Sequence, residues 1–310
     1  MTSHARPPGV ATHVVNGLMG RGVDNRFRKP SHYDRNLIVI GAGAAGLTAA
    51  AVAAQARAAV TLVEAREMGG DCLNTGCIPS KALLSSARAA ETMRRANRYG
   101  LEAVPPRVSF RDVMARVHDT IQTIAPHDSV ERYTAMGVDV VRGTATIVDP
   151  WTVDVARHDD VTQRLTTRSI IIATGAAPIV PPIPGLADSG FLTSETLWSA
   201  LATMDAAPER VVILGGGPFG CEMSQALARL GSHVTLLERG THVLAREDTD
   251  VSALARMSLE ASGVHVLTAH TAVRIDAGAV IAEHHGHAVT VPFTTLIVAC
   301  LLYTSPSPRD

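Results

Sequence analysis

Asn36-Leu37-Ile38-Val39-Ile40-Gly41-Ala42-Gly43-Ala44-Ala45-Gly46 is an apolar run that breaks into spaced glycines and then enters an alanine-rich stretch. That order reads as a buried strand, a tight turn and a helix. The pattern returns at Arg210-Val211-Val212-Ile213-Leu214-Gly215-Gly216-Gly217-Pro218-Phe219-Gly220, with a second helical stretch from Cys221 to Leu230 behind it. Each copy is followed by another apolar strand ending in an acid, Thr61–Glu64 in the first and Val234–Glu238 in the second. The spacing from first glycine to acid is the same in both, 64 − 41 = 23 and 238 − 215 = 23.

Glycines alone also mark ordinary turns, but here each triplet follows a strand, opens a helix and has an acid downstream. In a dinucleotide-binding turn the first glycine makes the tight bend and the second lets a pyrophosphate approach the backbone. The third lets the helix sit close to the strand. The helix N-terminus then offers free N–H groups and the positive end of its dipole to phosphate. Pro218 suits the first helical turn, where no N–H is needed from it. Glu64 and Glu238 are the expected acceptors for ribose hydroxyls, and Glu238 would repel a 2′-phosphate, which favours NADH over NADPH.

The fold class expected from strands alternating with helices is α/β, with parallel sheets in two doubly wound, Rossmann-like domains. A third matching strand closes each repeat, Ser169–Gly175 in one and Thr294–Ala299 in the other. Long helical patterns run from Ile78 to Asn97 and from Phe110 to Met136. Shorter strands are expected at Val138–Val141, Gly143–Val148 and Trp151–Ala156. The proline-rich stretch Pro178–Gly185 reads as a linker. The division expected is an N-terminal extension over 1–32, a first nucleotide-binding domain over 33–180, a second over 181–299 and a tail over 300–310.

Composition narrows the function classes. Hydrophobic residues make up 46% and charged residues 18%, which is globular. The net charge is −1, from 28 Lys+Arg against 29 Asp+Glu, so neither a nucleic-acid nor a membrane partner is expected. Four cysteines are too few for a secreted disulfide scaffold and favour a reducing, cytoplasmic setting. Leu37–Ala56 carries no charge over 20 residues, long enough for a membrane span, but its glycines imply a strand and a turn instead.

The chemistry-bearing stretch is Met68-Gly69-Gly70-Asp71-Cys72-Leu73-Asn74-Thr75-Gly76-Cys77-Ile78-Pro79-Ser80-Lys81. Residues five apart on a regular helix have Cα atoms roughly 8–9 Å apart. A disulfide needs them within about 7 Å. A bridged Cys72–Cys77 pair therefore requires a distorted turn, for which Asn74 and Gly76 are suitable. Cys77 would start the helix through Lys81 and Arg88, where the dipole and nearby cations favour a thiolate. Two buried cysteines or half of a metal site are the other readings, but no second cysteine pair has ligand spacing. Cys221 reads as a small packing residue, and His284, His285 and His287 as a solvated hairpin turn.

Taken with the glycine repeats, this stretch resembles the pyridine nucleotide–disulfide oxidoreductase family over about Tyr33 to Ala299, in particular its mercuric-reductase-like and dihydrolipoamide-dehydrogenase-like branch. Trp151-Thr152-Val153, Thr193–Trp198 and Arg246-Glu247-Asp248 carry the branch likeness. The resemblance implies an FAD-dependent enzyme that passes a hydride from NAD(P)H through FAD to a Cys72–Cys77 disulfide and then to a small-molecule substrate. Gly41, Gly43, Gly46 and Glu64 would bind FAD, joined by Gly70, Gly143, Ala145, Thr174 and Gly175. Gly215, Gly217, Gly220 and Glu238 would bind the nicotinamide cofactor. Cys77 would be the thiol against the flavin and Cys72 the interchange thiol. Lys81 and Glu222 match a charge pair beside the flavin. Asp71 departs from the threonine often found there.

Mercuric ion, lipoamide or another low-molecular-weight disulfide is the expected acceptor, and a homodimer is expected of the full-length protein. Beyond Ala299 the sequence leaves the family pattern, and Leu301–Asp310 reads as a foreign tail on a truncated chain. The C-terminal dimerisation domain is then missing, which leaves an inactive nucleotide-binding fragment as the other reading of the 310-residue form.

Overall fold

The computed structural model describes residues 27–304. Most of the expected N-terminal extension, and the last six residues of the expected tail, lie outside the described residues.

Strand β1 (Arg35–Ile40) leads into helix α1 (Ala44–Gln55) and strand β2 (Val60–Glu64). A short helix α2 (Gly70–Asn74) and two long helices, α3 (Cys77–Arg94) and α4 (Phe110–Ile124), come next. Helix α5 (Val130–Ala135) precedes strands β3 (Val138–Asp149), β4 (Thr152–Arg157), β5 (Thr162–Ile172) and β6 (Ala176–Ile179). The second repeat contains α6 (Ser194–Ala202), β7 (Arg210–Leu214), α7 (Pro218–Arg229), β8 (His233–Glu238), α8 (Thr249–Glu260) and β9 (His265–Thr268). Strands β10 (Thr271–Asp276), β11 (Ala279–His284), β12 (His287–Pro292), β13 (Thr295–Val298) and β14 (Leu301–Thr304) end the described chain.

The contacts divide the described chain into two compact units, residues 27–68 with 130–174 and residues 69–129 with 175–304. In the first, β5, β1, β2 and β3 form a parallel sheet in that order. The parallel sheet buries both faces, which explains the uninterrupted apolar runs. Val39, Val60 and Leu62 pack with Leu47 and Ala50 of α1 and with Tyr133 of α5. Ile38, Val63 and Val141 point the other way, onto Val153, Val155 and Leu165. Strands β3 and β5 are long because each serves two sheets. Val138–Arg142 pairs with β2 while Gly143–Asp149 pairs with β4, and β5 passes in the same way from β4 to β1.

The second unit repeats the arrangement with β13, β7, β8 and β9, again parallel and in the same order. Val211 and Ile213 face the helices, in a core with Leu83 and Ala87 of α3, Phe110 of α4 and Met223 and Leu227 of α7. Val212 and Leu214 face the antiparallel sheet β10-β11-β12 through Ile275, Val280, Ala282 and Val291. Helices α3 and α4 thus share a core with the second glycine repeat, because their apolar faces are filled by α7 and by Leu197 and Leu201 of α6.

Several elements differ from the sequence expectation, and the strands expected at Val138–Val141 and Gly143–Val148 run on as one, β3. The helical pattern expected from Phe110 to Met136 is broken after Ile124 by a 3-10 turn over Ala125–Asp128. Pro126 lacks the N–H that would continue the helix. The proline-rich stretch after Gly175 begins with a strand, β6, which pairs antiparallel with β14, Leu301 opposite Ile179. No helix among the described residues is long and apolar enough to cross a membrane, and Leu37–Ala56 is strand, turn and helix.

A Cβ built on Gly46 would lie 1.8 Å from the Gly41 carbonyl oxygen, and one on Gly220 would lie 1.9 Å from that of Gly215. Gly46→Ala and Gly220→Ala should each lower the unfolding free energy by about 1–3 kcal/mol in urea titrations. Gly217, with nothing within 4 Å of a built Cβ, should tolerate alanine with a loss of at most about 1 kcal/mol. Equal losses at all three positions would contradict this account of the turns.

Candidate functional site

The two glycine turns are superimposable bond by bond. The Gly41 N–H donates to Val63 O and that of Gly215 to Leu237 O, both at 2.8 Å. Ala173 N–H donates to Ile40 O at 2.7 Å and Ala299 N–H to Leu214 O at 2.8 Å, which brings the closing strand against each turn. Gly41 and Gly215 have φ of 103° and 110°, a region that favours glycine. A side chain on either would strike the carbonyl of Ala173 or Ala299, at 2.3 and 2.6 Å.

Each acid closes the loop from the other side. Glu64 accepts from Ala42 N–H at 2.5 Å and from Arg66 N–H at 2.6 Å. Glu238 accepts from Gly216 N–H at 2.6 Å and from Gly240 N–H at 2.5 Å. Both carboxylates are thereby fixed at the ends of β2 and β8, with lone pairs left for hydroxyl donors. The helices begin at Gly43 and Gly217 without a side-chain cap. Their first N–H groups therefore remain available to an anion, and the space over Gly217 is open. These residues fit a dinucleotide at each turn.

The cysteine stretch forms the distorted turn that the spacing required. Helix α2 stops at Asn74, and α3 starts anew at Cys77 with Gly76 as its N-cap. Between them the Asp71 carbonyl accepts from both Thr75 N–H, at 2.9 Å, and Gly76 N–H, at 2.5 Å. Asn74 Nδ2 donates back to Gly70 O at 2.9 Å. A Cβ on Gly76 would come within 3.0 Å of the Asp71 carbonyl oxygen, so the close return favours glycine. Both cysteines are thiols here, Cys72 half-buried and Cys77 exposed.

Cys72 donates its S–H to Cys77, and this hydrogen bond is the main reason that its pKa is pushed up to about 11. Burial and the negative charges of Cys77 and Asp128 act in the same direction, while the Cys77 backbone N–H opposes them. Cys72 therefore keeps its proton to higher pH than an ordinary thiol. One turn along α3 from Cys77, Lys81 Nζ pairs with both carboxylate oxygens of Glu222 on α7, at 2.7 and 2.9 Å. The family resemblance pairs these two, which lie 141 positions apart.

The remaining sites fall as follows. Gly70 opens α2 with φ of 56°. Gly143 and Ala145 lie on β3 where it joins β4, and a Cβ on Gly143 would strike Ala156 O at 2.4 Å. Thr174 follows β5 beside the Gly41 turn, and the Asp71 carboxylate lies near Gly175, 3.9 Å from a built Cβ. Cys221 is half-buried, with its sulfur 3.4 Å from Gly216 O and its pKa raised to about 12 by burial, then by Glu238 and Glu222. His285 and Gly286 are the two turn residues of the β11–β12 hairpin, so the histidine cluster is a hairpin turn. His284 also stacks on His270, with centroids 4.2 Å apart.

One residue at the cysteine turn was not legible as such. Trp198 of α6 is 8% exposed. Its indole N–H donates to Thr75 O, inside the Cys72–Cys77 turn, at 2.7 Å. It lies 123 residues away in sequence, and no local spacing signals the contact.

The family described as Pyridine nucleotide-disulphide oxidoreductase matches residues 35–300. A mercuric reductase of Streptomyces lividans is 35% identical over 259 residues, covering 83% of this chain and 54% of that protein. A dihydrolipoamide dehydrogenase of Chaetomium thermophilum is 33% identical over 270 residues, covering 85% of this chain and 51% of that protein. Among solved structures, the HOCl-induced flavoprotein disulfide reductase RclA from Escherichia coli is similar with a TM-score of 0.70 and 27% identity, over 88% of this chain and 57% of that one. The chain thus spans about half the length of the relatives it matches.

Two outcomes test the geometry of the cysteine turn. With a pKa near 11 for Cys72, roughly one molecule in a thousand carries its thiolate at pH 8. Iodoacetamide should therefore label the exposed Cys77 first at pH 8, and Cys72 labelling should rise steeply toward pH 11. Labelling of Cys72 first at pH 8 would be the contrary result. Trp198→Phe removes one hydrogen bond worth about 1 kcal/mol. It should lower the unfolding free energy by about that amount in urea titrations, whereas an unchanged value would assign no stabilising weight to the indole contact.

Proposed function

The chain belongs to the pyridine nucleotide-disulphide oxidoreductase family, and from that premise we propose that it works as an FAD-dependent NAD(P)H:disulfide reductase with Cys72 and Cys77 as its redox pair. The observation that carries the reading is the placement of Cys72 and Cys77 on either side of a broken helix, closed by the Asp71 carbonyl on Thr75 and Gly76, in a chain with two dinucleotide-shaped turns. The FAD taken up at Gly41, Gly43, Gly46 and Glu64 would supply a two-electron relay between a nicotinamide hydride and a disulfide.

The chain's own residues then have definite tasks. Gly217, with open space over it, leaves room for the pyrophosphate of the nicotinamide cofactor, while Gly215 and Gly220 bring the closing strand and the helix close, and Glu238 would accept from its ribose. The fixed Glu238 carboxylate repels a 2′-phosphate, so NADH is the preferred donor. In the cysteine pair, two electrons break the S–S bond and two protons complete the thiols. The Cys72 sulfur attacks the acceptor as its proton passes to the departing thiol, despite its raised pKa, and the Cys77 sulfur displaces the product as the intramolecular disulfide re-forms. An acceptor disulfide leaves as two thiols, while mercuric ion would be held first as a thiolate complex. Lys81, paired with Glu222, sets a fixed charge one helical turn from Cys77.

The acceptor is a small thiol-reactive molecule, a disulfide such as lipoamide or mercuric ion. Relatives named for each are similar to this chain at 35% and 33% identity. A homodimer is the assembly proposed for the full-length protein.

Anaerobic titration of the FAD-loaded chain with NADH should give a long-wavelength thiolate–flavin absorbance after two electrons, and Cys77→Ser should remove it. A band that survives in Cys77→Ser, or none in the unmodified chain, would overturn the assignment of Cys77. NADH should bind about tenfold or more tightly than NADPH, and Glu238→Gln should narrow the gap. Equal binding of the two by the unmodified chain would refute the role given to Glu238.

A further inference from the structure

At the C-terminal ends of α3 and α7, and just past the end of α8, the surface is hollowed into a cavity of ≈ 550 Å³ lined by Glu91, Arg94, Arg95, Arg229 and Ser262 among others. A second hollow of ≈ 230 Å³ shares Glu91, Arg95 and Arg229 and adds Arg88, Arg98 and Tyr99. Together they gather five arginines against one carboxylate, 5 − 1 = +4, in a chain whose net charge is −1.

Helix C-termini attract cations, so capping must be subtracted first. Arg94 donates to Arg229 O at the end of α7, at 2.7 Å, and Arg95 donates to Ala261 O just past the end of α8. Glu91 pairs with both of these arginines. Capping therefore accounts for Arg94, Arg95 and the one acid. It does not account for the other three. The side chains of Arg88 and Arg98 are exposed and have no hydrogen bond or ion pair among the described residues. Arg229 is half-buried and uses only its Nε, 3.1 Å from Ser262 Oγ, so its two terminal nitrogens have no acceptor. Burial lowers the Arg229 pKa, Glu91 counters that in part, and the positive charges of Arg95 and Arg88 lower it further. These guanidinium groups are near enough to repel one another.

We propose that this concavity is a binding site for a small polyanion of the phosphate class, a diphosphate or polyphosphate group held by Arg88, Arg98 and Arg229. Three unneutralised guanidinium groups call for more than one negative charge, and the planar fork of arginine matches phosphate oxygens two at a time. The cations line two adjoining shallow hollows, ≈ 550 and ≈ 230 Å³, of a size that suits a compact ligand. The helix ends do not oppose the anion, because Arg94 and Arg95 already cover the carbonyls they reach. The site lies at the opposite end of α3 from Cys77 and of α7 from Glu222, and it does not depend on the redox reading.

The test is calorimetric titration of the full 310-residue chain with pyrophosphate, with inorganic phosphate and an acidic peptide as separate arms. Arg88→Gln/Arg98→Gln is the diagnostic variant, because neither side chain holds the fold together. Pyrophosphate should bind more tightly than inorganic phosphate. The double variant should weaken pyrophosphate by about tenfold or more while its urea midpoint and its NADH binding stay unchanged. Pyrophosphate bound equally by chain and variant would place it at the glycine turns and overturn the proposal. So would the absence of binding, or an acidic peptide that binds and is not displaced by pyrophosphate.

Discussion

The contact on which both glycine turns depend is the approach of a helix to a glycine carbonyl. Gly46 sits so close to Gly41 O, and Gly220 to Gly215 O, that a built Cβ would fall within 2 Å of the oxygen. That closeness starts the helix directly over the strand end, leaving its first N–H groups free and aimed at the same point. The positive φ of Gly41 and Gly215 then admits the closing strand, whose carbonyl fills the space a side chain would need. Glu64 and Glu238 complete each turn by accepting two backbone N–H groups apiece. One set of short-range constraints, used twice, produces two anion-receptive helix ends with an acid beside each.

The cysteine turn works by a different constraint. A continuous helix would hold Cys72 and Cys77 too far apart to bond. Ending α2 at Asn74 and restarting at Cys77 folds the chain back on itself, and the Asp71 carbonyl gathers the two freed N–H groups of Thr75 and Gly76. The indole of Trp198 holds the remaining carbonyl, that of Thr75. The contacts that satisfy the turn's backbone groups thus come partly from within the turn and partly from a distant helix. The S–H of Cys72 then lies against the Cys77 sulfur, and its raised pKa is the electrostatic signature of that contact.

Much of this was legible in the sequence because the physics is local. Glycine spacing, an acid 23 residues on and uniformly apolar strands each follow from short-range geometry, and the two repeats support one another. The pairing of Lys81 with Glu222 was legible only through family likeness. What could not be read depends on contacts far apart in sequence. Leu83 and Phe110 share a core with Met223 and Ile213, although their local sequence would suit any apolar partner. The double duty of β3 and β5 follows from their length and pairing, and only the C-terminal half of β5 carried an apolar signal. Pro126 was visible, but the periodicity on either side of it masked the break.

The central claim is that Cys72 and Cys77 exchange two electrons with a bound flavin as one unit. Peptide mapping by mass spectrometry after differential alkylation tests it most directly, on the air-oxidised chain and on the same chain after anaerobic NADH in the presence of FAD. The account predicts a Cys72–Cys77 disulfide in the oxidised sample and two alkylated thiols after NADH, with Cys221 unchanged. A disulfide involving Cys221, or a Cys72–Cys77 bridge that persists after NADH and FAD, would contradict it.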